Sequence, residues 1–415
     1  MTESSVSLLR SEAKLLGFGF IMALVSSAGQ TFFISWFSAE WRVAFDLGHG
    51  DFGSLYSAAT LTSGFLLIWV GGMIDRVDLR WFGACVIVGL AVAAGMAAAV
   101  QGPLTLLVAL FLLRFFGQGL SSHTAVTATA RYADPRVRGK AVSIATLGFP
   151  IGEGLCPILV VAAIAAYGPS MTYGGTALII IAVVLPVGMG LLLGHGTRHA
   201  AFVDRTARAN AGDQTDAPRQ WTRAEVVRDR LFQLSLLATM APSFIVTGIF
   251  FHQVYLIGVK NWDMTVFAGA YVGFAIAQVS ASILAGWFID RYGARRLAVV
   301  YLLPLCLGCF VLSSADGLWA GFVFMVLGGL CSGASGTLLG TLWAELYGVA
   351  HLGAIRALVS AFSVVASALS PASMGWAIDA GVTIETLVLL CGAYLVGAVG
   401  LMYRLHSPKG GRPFG

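Results

Sequence analysis

Charged residues are scarce in this chain. Of its 415 residues only 11% are Asp, Glu, Lys or Arg and 58% are hydrophobic, whereas a typical soluble domain carries about 25% charged residues. A water-soluble core of this length could not bury so much apolar surface. The composition therefore excludes a soluble globular protein and predicts that lipid is the main solvent.

Signatures of catalysis and of metal binding are also missing. The six cysteines all fall inside apolar runs, where cysteine acts as a small packing residue. The sequence has no H-E-x-x-H pair and no phosphate-binding loop, and no polar segment is long enough for a nucleotide-binding domain. We therefore predict no enzyme, no cofactor, no metal site and no primary pump.

Long apolar runs dominate what remains. A membrane-spanning helix needs roughly 20 apolar residues, and helices satisfy their own backbone groups in lipid. The sequence predicts twelve such spans, at about 15–37, 53–73, 81–100, 104–128, 141–165, 171–193, 233–257, 265–288, 297–313, 318–343, 356–377 and 383–403.

Positive charge alternates along the loops between these runs. If the N-terminus is cytoplasmic, nearly all Lys and Arg residues fall on the cytoplasmic side, as the positive-inside rule requires. We predict a multi-pass protein of the inner (plasma) membrane with both termini in the cytoplasm. The net charge of +5 then reflects topology, and it does not indicate nucleic-acid binding.

Two loops carry the same motif at half the chain length. Residues 71–76 read Gly-Gly-Met-Ile-Asp-Arg, and residues 286–291 read Gly-Trp-Phe-Ile-Asp-Arg. Each copy closes one apolar run and precedes the next. Internal duplication of this kind is common in secondary transporters. It predicts an N-terminal six-helix bundle at 1–193, a cytoplasmic linker at 194–231, a C-terminal six-helix bundle at 232–405 and a tail at 406–415.

The repeated G-x-x-x-D-R motif, the arginine in the fourth span and the basic central loop resemble the major facilitator superfamily. The resemblance implies an all-α fold of two pseudo-symmetric six-helix bundles and transport by alternating access. It also implies a cavity lined mainly by spans 1, 4, 7 and 10. By the same resemblance, Asp75, Arg76, Asp290 and Arg291 are gating contacts.

Arg114 is the most informative charged residue within an apolar run. It lies ten residues into the fourth predicted span, roughly 15 Å deep at about 1.5 Å per residue. A charge at that depth costs several kcal/mol and requires a partner or a wet cavity. Three roles fit it: binding an anionic substrate, assisting proton movement, or forming a structural ion pair.

Glu153 is the natural partner of Arg114, because it lies at a similar depth in the fifth span. Pro150 precedes it and glycines flank it, so the helix is expected to be loosened there. A desolvated carboxyl group takes up a proton more readily, and a nearby arginine opposes this. Glu153 is thus predicted either to couple transport to protons or to form a permanent salt bridge.

Other polar residues in or beside the cavity-facing spans are further candidates. Gln30, Gln118 and His252 are large polar side chains and are predicted substrate contacts. Glu345 and Arg356 lie at the two ends of a tight turn and are predicted to pair in a second gate.

These observations favour a secondary transporter for a small organic anion such as a monocarboxylate, with a proton or counter-solute as coupling partner. It is expected to act as a monomer in the lipid bilayer. One alternative is an efflux antiporter for amphipathic or cationic compounds. Another, of a different class, is a non-transporting membrane receptor or assembly partner built on a carrier fold.

Overall fold

The computed structural model describes residues 8–134, 136–196, 199, 223–348 and 352–406. All regular structure within these ranges is helical. Eleven helices are long and apolar enough to cross a membrane, and one bent pair counts as a twelfth span. The spans, numbered in chain order, are Ala13–Gly29 with Thr31–Ala44, His49–Ile74, Leu79–Ala98, Pro103–Tyr132, Arg138–Tyr167, Pro169–Leu191, Arg230–Phe251, Met264–Tyr292, Ala294–Ser314, Leu318–Tyr347, Ile355–Asp379 and Ile384–Leu405. The predicted fold class is confirmed.

Two compact units make up the described chain. Within the described residues, the first comprises 8–37, 58–134, 136–196 and 199, and the second comprises 38–57, 223–348 and 352–406. The short stretch 38–57, which includes the start of span 2, thus belongs with the C-terminal helices.

In the first unit, span 1 forms the centre of the core. Leu15, Phe18 and Met22 on this span have no exposed surface. Gly19 lets span 1 approach its neighbours closely, because an added Cβ there would lie 2.9 Å from the Cβ of Ala145 in span 5. Small residues at such crossings allow helices to pack without the hydrophobic driving force that lipid removes.

In the second unit, the tightest helix pair is formed by spans 8 and 10. A Cβ added at Gly333 in span 10 would lie 2.8 Å from the backbone carbon of Gln278 in span 8, and Gly329 packs one turn away on Phe274. Gly293, with φ of 85°, makes the turn from span 8 to span 9, a backbone conformation that glycine adopts without strain.

The helix boundaries define one junction and correct one prediction. A short helix, Arg223–Arg228, precedes span 7 and ends where the side chain of Asp229 accepts from the amide of Leu231 and caps a new helix. In span 5 the helix breaks at Leu147, so Pro150 sits in the first turn of Gly148–Tyr167, where a missing amide costs little.

All six cysteines are free thiols. Cys306 and Cys309 have the spacing of a C-x-x-C motif. Both are nevertheless free thiols buried in span 9. In the described part of the chain, no group of three or more His, Cys, Asp or Glu residues is placed to hold a metal ion.

Candidate functional site

Span 1 is interrupted in mid-course. Its first helix tightens into a 3₁₀ turn over Ser26–Gly29, and Gln30 then adopts an extended backbone with φ of −83° and ψ of 154° before the helix resumes at Thr31. The two halves are bent by 45°. A helix end leaves backbone carbonyls without intrahelical donors, so this break requires polar partners inside the membrane.

Span 4 crosses span 1 at this break. Its middle section, Leu113–Ser121, is π-helical, a wide winding that is frequent at functional sites. The two helices touch through glycines, because a Cβ added at Gly117 would lie 2.6 Å from the Cα of Gly29. No side chain fits at this crossing, so the break in span 1 lies directly against the π-helical turn.

Arg114 is placed at the crossing by that turn. Its side chain is buried, with 1% of its surface exposed. The Nε atom donates to the hydroxyl of Thr60 in span 2 at 3.0 Å, and one Nη atom donates to the carbonyl of Gly29 at 3.1 Å. The guanidinium therefore joins spans 1, 2 and 4. Its positive charge also faces the negative end of the half-helix dipole that terminates at Gly29.

The other predicted polar residues of the first unit lie around the same break. Gln30 forms the break itself and is half-buried, as are Gln118 in the π-helical segment and Glu153 in span 5. Next to Glu153, an added Cβ at Gly152 would lie 3.3 Å from the carbonyl oxygen of Leu24 in span 1. Four residues that the sequence scatters over about 120 positions thus surround one interruption in a membrane helix.

His252 belongs to the second unit, immediately after span 7. It is buried, and its Nε2 atom lies 3.1 Å from the carbonyl oxygen of Pro371 in span 11. A carbonyl only accepts, so Nε2 carries the proton of this bond. The ring also borders a cavity of about 390 Å³ that Arg42, His49 and Tyr255 line. The surroundings of His252 therefore differ from those of Arg114.

The family profile described as Major Facilitator Superfamily matches residues 19–273 and 254–414, which together cover nearly the whole chain. The chain belongs to the major facilitator superfamily. It is therefore a multi-pass membrane protein of a transporter class, and its substrate is a small molecule. A comparison with curated protein sequences finds no match.

Solved structures of major facilitator transporters share this fold. The chain is similar to a bacterial homologue of the human lysosomal transporter Spinster in an inward-facing and occupied conformation, at 13% identity and a TM-score of 0.68, over 95% of this chain and 96% of that one. It is also similar to the nucleoside transporter NupG, at 13% identity and a TM-score of 0.68, over 95% of this chain and 99% of that one. Identities this low establish the fold alone.

The two G-x-x-x-D-R motifs of this major facilitator chain differ in local structure. The first ends in a 3₁₀ turn over Gly71–Asp75, and the side chain of Asp75 lies outside the described residues. Arg76, Asp290 and Arg291 are exposed. None of these three forms an ion pair with another described residue, and Arg291 lies over the rings of Trp287 and Tyr292. Their gating role stays a prediction.

Glu345 contacts the start of span 9 instead of its predicted partner. Its carboxylate accepts from the backbone amide of Ala294 at 2.8 Å, at the start of span 9. Arg356 is exposed, and within the described ranges it has no ion pair with Glu345. A carboxylate is stabilised at a helix N-terminus by the free amides and the helix dipole, which explains why Glu345 lies there in this conformation.

Sequence reasoning missed the partners that fix these sites. Thr60 was indistinguishable from the many hydroxyls of apolar spans, although it receives the Nε donor of Arg114. At the starts of two helices, Asp78 accepts from the amide of Arg80, and Asp379 accepts from the amides of His49 and Gly50. For Asp78 a signal was available, because an Asp directly before an apolar run is an N-cap pattern. A side-chain hydrogen bond from Arg80 lowers the pKa of this carboxyl to about 2.

Proposed function

We propose that this major facilitator protein is a secondary active transporter of a small organic anion such as a monocarboxylate. It works by alternating access and is coupled to protons. The observation that carries the substrate class is the guanidinium of Arg114, buried at the interruption of span 1.

The chemistry of Arg114 supports an anion over a cation. A guanidinium carries five N–H donors in a planar fork that matches a carboxylate. The bonds to Thr60 and Gly29 engage Nε and one Nη atom and hold the plane of the fork in place. A carboxylate that binds this guanidinium would bind a group whose orientation is already fixed, which reduces the entropy lost on binding.

Gln30 and Gln118 supply neutral polar groups beside this charge. Each amide offers both donors and an acceptor, and both are half-buried next to the crossing of spans 1 and 4. They suit the hydroxyl or carbonyl groups of a small organic acid. We propose that they set specificity and that Arg114 provides the attraction for charge.

Glu153 is the proposed proton-coupling residue. It is half-buried in span 5, one position after the glycine that packs against the first half of span 1. A proton on this carboxyl would reduce the negative charge near the anion site and favour entry of a carboxylate. Loss of the proton would favour its release.

The proposed setting follows from the charge pattern of the loops. We propose the inner (plasma) membrane, cytoplasmic N- and C-termini, and a monomer. The two six-helix bundles, 1–193 and 232–405, would be linked by the cytoplasmic segment 194–231. The many arginines of that segment support this orientation.

A ligand-stabilisation screen on the purified protein tests the substrate class. Acetate, lactate, benzoate and a cationic amphiphile such as tetraphenylphosphonium are each added, and thermal unfolding is followed. A ligand at about 100 times its Kd stabilises by about 2.7 kcal/mol, so a carboxylate should raise the Tm of the parent clearly. Arg114→Ala and Arg114→Lys should lose this shift.

Arg80→Ala is the matched control, because Arg80 is exposed and pairs only locally with Asp78 among the described residues. It should keep the full carboxylate effect. Equal stabilisation of the parent and Arg114→Ala by carboxylates would disprove the anion site. Stabilisation by tetraphenylphosphonium alone would favour efflux of cationic amphiphiles, and no stabilisation by any compound would favour a non-transporting receptor.

A further inference from the structure

We propose that His49 and His252 form a proton-binding pair that holds the stretch 38–57 closed against spans 7 and 11 when neutral and releases it when protonated. This inference rests on the proposed proton-coupled transport and adds a second proton site to Glu153. With the N-terminus in the cytoplasm, the pair lies at the outer end of the spans.

The two imidazoles are neighbours in a largely buried cluster. Their ring centroids are 5.8 Å apart. His252 donates through Nε2 to the carbonyl of Pro371, so its Nδ1 is the atom that would gain a proton. His49 is half-buried and packs edge-on against Tyr255 at 4.4 Å. Within the described residues, no hydrogen bond involves its ring nitrogens.

The closed arrangement depends on one carboxylate and on close backbone packing. Asp379, at the end of span 11, accepts from the amides of His49 at 3.0 Å and Gly50 at 2.7 Å. A Cβ added at Gly375 would lie 2.6 Å from the backbone carbon of His49. The start of span 2 is therefore fixed directly to the end of span 11, with the histidine pair beside the contact.

Aromatic stacking extends the contact toward span 7. Phe52 stacks on Phe251 with ring centroids 5.1 Å apart, and Tyr56 contacts the same ring at 4.7 Å. The side chains of Phe52 and Tyr56 are both buried. This apolar floor excludes water beneath the histidines, so a charge on either ring would be poorly solvated.

The surrounding charges favour release on protonation. Arg42 lines the same cavity of about 390 Å³, its Nε donates to the carbonyl of Leu47, and it forms no ion pair with another described residue. The nearby carboxylates are engaged with backbone amides, Asp379 as above and Asp51 with Gly48 at 3.1 Å.

Protonation of both imidazoles would add two positive charges beside Arg42, more than the carboxylates of Asp379 and Asp51, which already bind backbone amides, can offset. Burial disfavours the charged form of histidine, and like charges disfavour it further. Separation of the stretch 38–57 from spans 7 and 11 would give both rings access to water and remove these penalties. Protons therefore bind the open state better than the closed state, and by linkage a lower pH favours opening.

Thiol labelling in intact cells tests the pair. Ser38→Cys places a thiol in the cavity wall at a position that is 8% exposed, and Val43→Cys is its control at 85% exposure. A membrane-impermeant maleimide is applied at pH 8.0 and pH 5.5, and labelling at position 38 is divided by labelling at position 43. This ratio removes the pH dependence that the two thiols share, and the double histidine variant, measured in the same way, accounts for the part that is specific to position 38. The unsubstituted chain supplies the background from native cysteines.

The ratio should rise at least about threefold on acidification, since a difference of one pKa unit between two states changes their ratio up to tenfold. The double variant His49→Gln, His252→Gln should abolish this rise, because glutamine keeps a hydrogen-bond donor for Pro371 but cannot be protonated. Glu153→Gln should keep it.

A parent ratio that does not change with pH, or an equal rise in the double histidine variant, would overturn the proposal. Normal labelling at position 43 in every variant shows that the protein has reached the membrane folded. Absence of labelling of Val43→Cys with both histidines present would place the pair on the cytoplasmic side and overturn its role as an outer contact. The labelling needs no substrate, so its result is independent of the anion proposal.

Discussion

Arg114 donates a hydrogen bond of 3.1 Å to the backbone carbonyl of Gly29. This one contact connects the π-helical section of span 4 with the broken end of span 1. It satisfies a carbonyl that the break leaves without an intrahelical donor, and it gives the buried guanidinium an acceptor. The break in span 1 therefore provides an acceptor for the buried charge of Arg114, and Arg114 provides a donor for the carbonyl at the break.

Thr60→Val tests how far Arg114 depends on its second partner. Valine has nearly the same shape as threonine but cannot accept from Nε, and Thr60 is buried. Hydrogen bonds to charged groups contribute about 1.5–3 kcal/mol, so the variant should unfold at a clearly lower temperature in detergent. Its carboxylate affinity should also fall, since the guanidinium loses its orientation. An unchanged Tm would show that this bond contributes little.

The glycine contact between spans 1 and 4 predicts a steep steric effect. Gly117→Ala would drive a Cβ to 2.6 Å from the Cα of Gly29, and overpacking of this kind costs about 1–3 kcal/mol. Gly95→Ala is the control, because nothing lies within 4 Å of its added Cβ. It should be neutral or stabilise span 3 by about 0.5–1 kcal/mol. Thermal unfolding of both variants checks the prediction, and similar Tm values would contradict the close contact.

Glu345 is expected to act as a helix cap and not as the partner of Arg356. Glu345→Ala removes the acceptor for the Ala294 amide and should cost about 0.5–2 kcal/mol. Glu345→Gln keeps an oxygen acceptor and should lose less. Arg356→Ala should leave stability within about 0.5 kcal/mol of the parent, as exposed substitutions usually do. A double-mutant cycle on positions 345 and 356 measures their coupling, and a large coupling energy would restore the ion pair first predicted.

Glu153→Gln should remove proton coupling without removing transport. The amide cannot take up a proton but occupies nearly the same space, so exchange of labelled for unlabelled substrate should survive. Between a pH of about 5 and 8, net flux should lose the part of its pH dependence that comes from proton coupling, and any dependence that remains comes from the histidine pair. Flux measured across this range checks the point. A pH profile identical to that of the parent would exclude Glu153 from coupling.

Much of the fold followed from composition and periodicity, because lipid permits few solutions. Twelve apolar runs predicted twelve spans, and the first of these is the bent pair that meets at Gln30. The bend itself was not predicted, because Ser-Ser-Ala-Gly-Gln is compatible with a continuous helix. Its cause is tertiary: span 4 approaches so closely that Gly29 lies against Gly117.

The candidate site was predicted residue by residue but not as an arrangement. Arg114 is conspicuous because a charge in an apolar run is costly. Its partners are a backbone carbonyl and a hydroxyl, and neither type of group has a distinctive sequence signal. The Asp379 contact with the start of span 2 joins residues about 330 positions apart, which no local pattern could reveal.

The most direct test is uptake of radiolabelled acetate, lactate and benzoate into proteoliposomes with an inward proton gradient. The account predicts that the parent and Arg80→Ala accumulate at least one of these anions and that dissipating the gradient stops accumulation. Arg114→Lys should reduce uptake at least about tenfold, since lysine cannot reproduce the planar fork and a loss of about 1.4 kcal/mol in binding is already tenfold. Uptake by Arg114→Lys at the parent rate, or no gradient-driven uptake of any carboxylate by the parent, would contradict the account.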